Sequence, residues 1–221
     1  MSHPPQHDVY GFDLREDVAP FLPTTARSAL DVGCARGGFG RTLRSVLGPD
    51  ARLVGVEAID EVAAAARAAG DFDEVLAGYF PAALGDQRFD LVTFNDVLEH
   101  MLDPWQALRD CRDHLTPGGR VVASIPSIQY APVLWQLAKG RWDYTDSGTL
   151  DRTHVRFFTR ATMVDMFEQT GYAVEQCTGI ASVMQRWSTD PVAPRRWLKR
   201  GLANALGDRQ YLQFVVVARP S

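Results

Sequence analysis

The chain has 221 residues and a mass of 24.5 kDa, of which 46% are hydrophobic and 23% charged. That apolar content excludes disorder for most of the sequence, and the length suits a single domain with elaborations. Against 27 acidic residues stand 23 basic ones, giving a net charge of −4 and a pI of about 5.7. No cationic field is available for a phosphate backbone, so nucleic acid is not an expected partner.

From Ser28 onward, β-rich runs alternate with helical runs, the pattern of a parallel sheet covered by helices on both faces. Ser28 to Val32 reads as the first strand, and Phe39, Leu43, Val46 and Leu47 then recur at helical spacing. Arg52 to Glu57 is the second strand. An alanine-rich helix follows, with Asp60 as its expected cap and Gly70 as its expected end. Val75 to Ala77 and Phe89 to Phe94 are the third and fourth strands. Asp103 and Pro104 open the next helix, whose apolar stripe is Leu108, Cys111 and Leu115.

Thr116-Pro-Gly-Gly predicts a turn before a fifth strand, Arg120 to Ile125. Residues 127–159 are too long for an ordinary connection and read as a substrate cap, whose Tyr130, Trp135, Trp142 and Tyr144 have two roles open to them, contact with a sugar or phenol ring and packing of the cap itself. Thr159 caps a helix through Glu168, Tyr172 to Cys177 is a sixth strand, and Tyr211 to Ala218 a seventh. Between the last two, residues 179–208 read as a second insertion, with the basic run Arg195-Arg-Trp-Leu-Lys-Arg as a solvated helix face.

No apolar run approaches the roughly 20 residues that span a bilayer. The N-terminus has neither the basic region nor the apolar core of a secretory signal, and a cytoplasmic location is expected. Cys34, Cys111 and Cys177 are widely spaced without a CxxC pair, which points to free thiols.

The most informative segment runs from Ala29 to Gly40, a strand leading into a glycine-rich turn and then a helix. Glycine at Gly33 and Gly37 lets the backbone approach a ligand closely, and the N–H groups of the following helix face the turn. Glu57 closes the second strand twenty residues after Gly37, the spacing at which a carboxylate accepts both hydroxyls of an adenosine ribose. NAD and S-adenosylmethionine share that arrangement. Asp31, just before the turn, favours a cationic amino-acid ligand over a pyrophosphate, which it would repel.

Leu30-Asp-Val-Gly-Cys-Ala-Arg-Gly, Val54-Gly-Val-Glu, the block from Phe89 to His100, and Leu115-Thr-Pro-Gly-Gly-Arg together resemble the class I S-adenosylmethionine-dependent methyltransferases. The resemblance implies a Rossmann-like α/β fold of seven mostly parallel strands, the last antiparallel, with helices on both faces and a cap insertion. It gives Asp31, Gly33 and Gly37 to the methionine end of S-adenosyl-L-methionine, Glu57 to its ribose, and Asn95 to the neighbourhood of its sulfonium. Ala35 replaces the family's middle glycine. Gly78-Tyr79 replaces an acidic residue that contacts adenine, leaving Tyr79 or Phe80 to stack on the base.

Methylating a neutral hydroxyl requires a base, a metal, or both. Two clusters offer them. Asn95-Asp-Val-Leu-Glu-His resembles the ubiquinone-biosynthesis O-methyltransferases, which implies a divalent ion on Asp96, Glu99 and His100, with Mg²⁺ favoured by the oxygen-rich set. The alternative is that Glu99 and His100 order the floor of the active site. Gly148 to Thr159 crowds Asp151, Arg152, His154 and Arg156 without amphipathic period and resembles methyltransferases of small-molecule and saccharide pathways. His154 is the expected general base there. The expected activity is O-methyl transfer to a sugar or saccharide-containing metabolite, a small molecule or oligosaccharide. A quinone or phenolic acceptor is the alternative enzyme reading, and a non-catalytic adenosylmethionine-binding module the alternative from another class. The Asn-Pro-Pro-Tyr-like motif of nucleobase and glutamine methylation is missing after the fourth strand.

Overall fold

Strand residues that are apolar on both sides need cover on both faces, and the chain supplies it. A computed structural model describes residues 14–183 and 205–221. Strands β1 (Ser28–Val32), β2 (Arg52–Glu57), β3 (Glu74–Ala77), β4 (Phe89–Asn95), β5 (Leu115–Pro126), β6 (Tyr172–Ser182) and β7 (Tyr211–Pro220) form one sheet. Their order is β3-β2-β1-β4-β5-β7-β6. The first five pair in parallel, and β7 runs antiparallel to both β5 and β6. This is the Rossmann-like seven-stranded arrangement that the sequence implies.

Helices α1 (Gly38–Leu47) and α2 (Asp60–Ala69) lay Phe39, Leu43, Leu47, Ala63 and Ala66 against Ala29, Leu53 and Leu91 on one face of the sheet. On the other face, α3 (Pro104–Cys111) and α5 (Arg160–Gln169) bring Leu108, Cys111, Met163 and Phe167 onto Leu30, Val32, Val54 and Val56. Alternate β1 residues thus serve opposite cores, as strand geometry requires. Helix α4 (Ala131–Ala138) lies within the expected cap and buries Val133. Among the described residues, no helix is long and apolar enough to cross a membrane. The three cysteines are free.

The chain moves from β1 to β2 and β3 on one side, then returns to place β4 on the other side of β1. A crevice therefore opens beyond the carboxyl ends of β1 and β4, where ligands of open α/β sheets bind.

Several local expectations shift. Asp60 is the first residue of α2 rather than its cap, because the preceding turn is already tied down by the Ile59 N–H donating to Glu57. Gly70 ends that helix in the left-handed conformation, as expected. The Thr116-Pro-Gly-Gly turn is absorbed into β5 as an irregularity, since the pairing with β4 jumps from Phe89–Leu115 to Leu91–Arg120. Strand β6 runs on to Ser182 because β7 pairs with it along that length, so residues 179–182 belong to the sheet and not to an insertion. Most of the remaining second insertion, including the basic run at 195–200, lies outside the described residues.

Candidate active site

The turn after β1 is shaped by backbone conformation. Gly33 has φ +71°, and a Cβ there would meet Val97 Cγ2 at 2.7 Å. Only glycine suits that position. Ala35 also lies at positive φ, +46°, where the glycine of the resembling family would be unstrained. Gly37, at φ +91°, caps α1 and turns the chain into it. It packs toward Ala66 and does not line the crevice, so its contribution is to the turn's shape.

Glu57 joins the turn to the end of β2. Its two carboxylate oxygens accept from the Ala35 N–H at 3.1 Å and the Ile59 N–H at 3.0 Å. Asp31, 3% exposed, accepts from Thr93 Oγ1 at 2.6 Å and from Asn95 Nδ2 at 3.4 Å. The register explains the trio: Asp31 pairs with Thr93 across β1 and β4, and Asn95 follows on the same face. Burial raises the Asp31 carboxyl to about 7, against the hydrogen bonds that favour its charged form.

Asp31, Gly33, Glu57, Tyr79 and Asn95 all line one cavity of about 1440 Å³. A single-ligand cleft occupies roughly 300–1,000 Å³, so this one has room for two reactants. Tyr79 is 77% exposed at its mouth, while Phe80 is held edge-on to Phe94.

The other end of the cavity unites the two polar clusters. The Glu99 carbonyl accepts from both Val155 and Arg156 N–H groups at 3.0 Å, pinning the loop that bears His154 onto the turn that bears Glu99 and His100. Ligand-type atoms of Glu99, His100 and His154 lie within 4.8 Å of one another. Glu99 is 1% exposed, and neither carboxylate oxygen has a hydrogen-bond partner. Burial, reinforced by the charge of Asp96, holds its carboxyl well above the usual range.

Both imidazoles have a fixed tautomer. His154 Nδ1 lies 3.0 Å from the Thr149 carbonyl, and a carbonyl can only accept, so Nδ1 carries the proton and Nε2 keeps its lone pair. That Nε2 is 3.9 Å from Glu99 Oε1. His100 Nδ1 faces the Thr153 carbonyl at 3.3 Å and the Thr153 hydroxyl at 3.1 Å, whose proton goes to Asp151. Burial lowers the basicity of both rings, and the neighbouring His154 lowers that of His100 further.

Asp96 does not join this group, which corrects the expected trio of Asp96, Glu99 and His100. Its backbone is left-handed, at φ +54°, and its carboxylate is taken by Arg15 and Gln213. His154 stands in its place. Of the two roles open to the cap aromatics, ligand contact is not the one seen: Tyr130, Trp135, Trp142 and Tyr144 are absent from the cavity wall, and Trp142 packs on Phe157. The wall there is built from polar residues of 146–154, with Arg152 paired to Asp146.

Two contributors escaped sequence reasoning. Arg15, 9% exposed, enters the cavity from the N-terminal segment and carries no recognisable motif. Thr93 had a signal, since it precedes Asn95 by two on the strand and so shares its face.

A family model described as a methyltransferase domain matches residues 6–177. A ubiquinone biosynthesis O-methyltransferase of Cereibacter sphaeroides (strain KD131) is 26% identical over 182 residues, covering 80% of this chain and 72% of that protein. An uncharacterized 37.1 kDa protein in transposon TN4556 of Streptomyces fradiae is 34% identical over 103 residues, and the match spans 45% of this chain and 30% of that protein. Among solved structures, an S-adenosylmethionine-dependent methyltransferase of Mesorhizobium loti aligns with TM-score 0.62 at 20% identity, covering 95% of this chain and all of that one. An O-methyltransferase from neocarzinostatin biosynthesis, in complex with S-adenosylmethionine and 2-hydroxy-5-methyl naphthoic acid, aligns with TM-score 0.60 at 15% identity over 94% of this chain and 53% of that one.

Proposed function

This chain belongs to the methyltransferase-domain family, as a class I S-adenosylmethionine-dependent methyltransferase, and from that membership we propose that it methylates a hydroxyl of a sugar or saccharide-containing small molecule. The observation that carries the reading is the placement of Glu99, His100 and His154 in the same cavity as Asp31 and Glu57. In this reading, Asp31 receives the donor's ammonium and Glu57 its ribose hydroxyls. Asn95, whose Oδ1 has no hydrogen-bond partner, lies next to the sulfonium. Tyr79 and Phe80 flank the adenine, and the chemistry runs from a cytoplasmic location.

Methyl transfer is an in-line displacement, and its rate depends on holding the nucleophile close to the methyl carbon. The acceptor hydroxyl lies against the wall of residues 146–154. His154 Nε2 takes its proton, because Thr149 has fixed the lone pair on that nitrogen and burial keeps the ring neutral at pH 7. The polar side chains of that wall, among them Ser147, Thr149, Asp151 and Thr153, favour a hydrogen-bonding acceptor. Residues 127–159 act as the cap of a single domain.

The second reading, a quinone or other phenolic acceptor, is favoured by the ubiquinone-biosynthesis relatives. A panel of saccharide, catechol and quinol acceptors with radiolabelled donor distinguishes the two. Label in the saccharides supports the first reading, and label confined to the phenols replaces it. Donor binding with no labelled product from any acceptor speaks for a non-catalytic module.

Mg²⁺ is the ion the sequence resemblance implies, and the side chains do not fit it. Magnesium seeks an octahedron of hard oxygen atoms. The group available is one carboxylate and two imidazoles, since Asp96 is engaged elsewhere. No step of the reaction is assigned to magnesium.

A further inference from the structure

We propose that Glu99, His100 and His154 form a site for a divalent transition-metal ion such as Zn²⁺ or Mn²⁺, selected against Mg²⁺. The inference rests on the reading of this group as the acceptor end of the active site.

Its first support is a carboxyl group whose two buried oxygens have no hydrogen-bond partner. A carboxylate with both oxygens buried and unpartnered is costly unless a cation or a set of donors completes it. Among the described residues, the cationic side chains of the cavity wall are already engaged, Arg15 with Asp96 and Arg152 with Asp146.

A second support is the pair of histidines. Ligating imidazoles characteristically give their other ring N–H to a carbonyl or carboxylate, which fixes the tautomer and turns a lone pair toward the ion. Both rings do this: His154 through Thr149, and His100 through Thr153, itself oriented by Asp151. The sites share no element, since Glu99 and His100 follow β4 whereas His154 belongs to the loop before α5. The two main-chain bonds to the Glu99 carbonyl hold them together.

Geometry is near that of a bound site. With ligand distances of about 2.0–2.2 Å and tetrahedral angles, ligand atoms stand ~3.4 Å apart. The Glu99–His154 separation is 3.9 Å and the widest in the group is within 4.8 Å, so small side-chain rotations close it.

The donor set decides the ion. Imidazole nitrogen raises affinity for Mn²⁺ through Zn²⁺ and contributes little for a hard ion. Three protein ligands leave a coordination position open, as in catalytic rather than structural sites. When bound, such an ion supplies Lewis acidity toward a hydroxyl. It competes with the proton for His154 Nε2, so His154 acts as base in the metal-free protein and as ligand in the loaded one.

The test uses the full chain, stripped with chelator and equilibrated with Zn²⁺, Mn²⁺ or Co²⁺, each alone and against a hundredfold excess of Mg²⁺. Metal content is read by mass spectrometry, and the Co²⁺ form by its visible absorption. One transition ion per chain is expected, undisplaced by Mg²⁺, with a Co²⁺ spectrum of nitrogen–oxygen coordination. His154→Ala and Glu99→Gln should each weaken binding by on the order of 100-fold, whereas Asp96→Asn should retain it. Failure to bind any ion, equal competition by Mg²⁺, or loss of the ion in Asp96→Asn overturns the site. The wild-type Co²⁺ spectrum decides without a variant if the substitutions impair folding. Methyl transfer by stripped protein that binds no ion would end this inference and leave the methyltransferase reading intact. An ion bound without transfer to any acceptor would do the reverse.

Discussion

Thr93 on β4 donates its hydroxyl to Asp31 on β1 at 2.6 Å, steadying a carboxylate that is otherwise 3% exposed. With the donor's ammonium on Asp31, as proposed, donor binding is expected to depend on pH. Burial lifts the Asp31 carboxyl to about 7, and only its ionised form attracts an ammonium. Affinity for S-adenosylmethionine in calorimetry should therefore be level above about pH 7 and fall roughly tenfold per unit below it. Thr93→Val removes a bond that favours the charged form, and should move that midpoint to higher pH. Asp31→Asn should abolish the midpoint and weaken binding by about 1.5–3 kcal/mol.

Glu57 has a structural duty besides the one proposed toward ribose. Its two oxygens accept from the Ala35 and Ile59 N–H groups, one in the turn after β1 and one in the turn after β2. In Glu57→Gln the amide can accept at one oxygen but presents N–H against the other donor. Denaturant unfolding should show a loss of about 1–3 kcal/mol, and donor affinity should fall at every pH rather than along a titration.

His154 is expected to govern turnover from the acid side. As a base it must be unprotonated, and burial holds it below the ordinary value of 6.5. In the stripped protein, kcat/KM should fall with decreasing pH only below about 6.5, with His154→Ala slower by a factor on the order of 100 and lacking that limb. An unchanged limb in the variant would assign it to another group.

Residues 33 and 35 predict opposite signs. Gly33→Ala places a methyl 2.7 Å from Val97 Cγ2 at φ +71°, and should cost more than the ~1 kcal/mol of left-handed strain alone. Ala35→Gly, at φ +46°, relieves such strain and should raise stability by up to about 1 kcal/mol. Thermal or denaturant unfolding of the two variants checks the contrast.

The sheet and the donor end were legible in sequence because local rules govern them. A β-rich run ending at Gly33 placed β1, helical spacing placed α1, and Asp103 with Pro104 opened α3, where the Asp103 carboxylate accepts from the Gln106 N–H at 2.9 Å. The acceptor end was legible only in its ingredients. Asp96 and Glu99 are three apart, which suggests convergence, but a left-handed backbone at Asp96 turns its side chain toward Arg15, eighty-one residues earlier. His154 reaches Glu99 through a loop contact that no periodicity encodes. The cap aromatics carried a composition signal without direction, and none of their rings contributes to the cavity wall.

The bonds from Val155 and Arg156 to the Glu99 carbonyl are made by peptide groups, so they are indifferent to which side chains stand at those positions. Side chains at 155 and 156, and those of the wall at 146–148, are consequently free to change while His154 stays held against Glu99. In the proposed function, acceptor choice then falls to residues 146–148 separately from the base, which makes them the natural target for redirecting the enzyme to new hydroxyls.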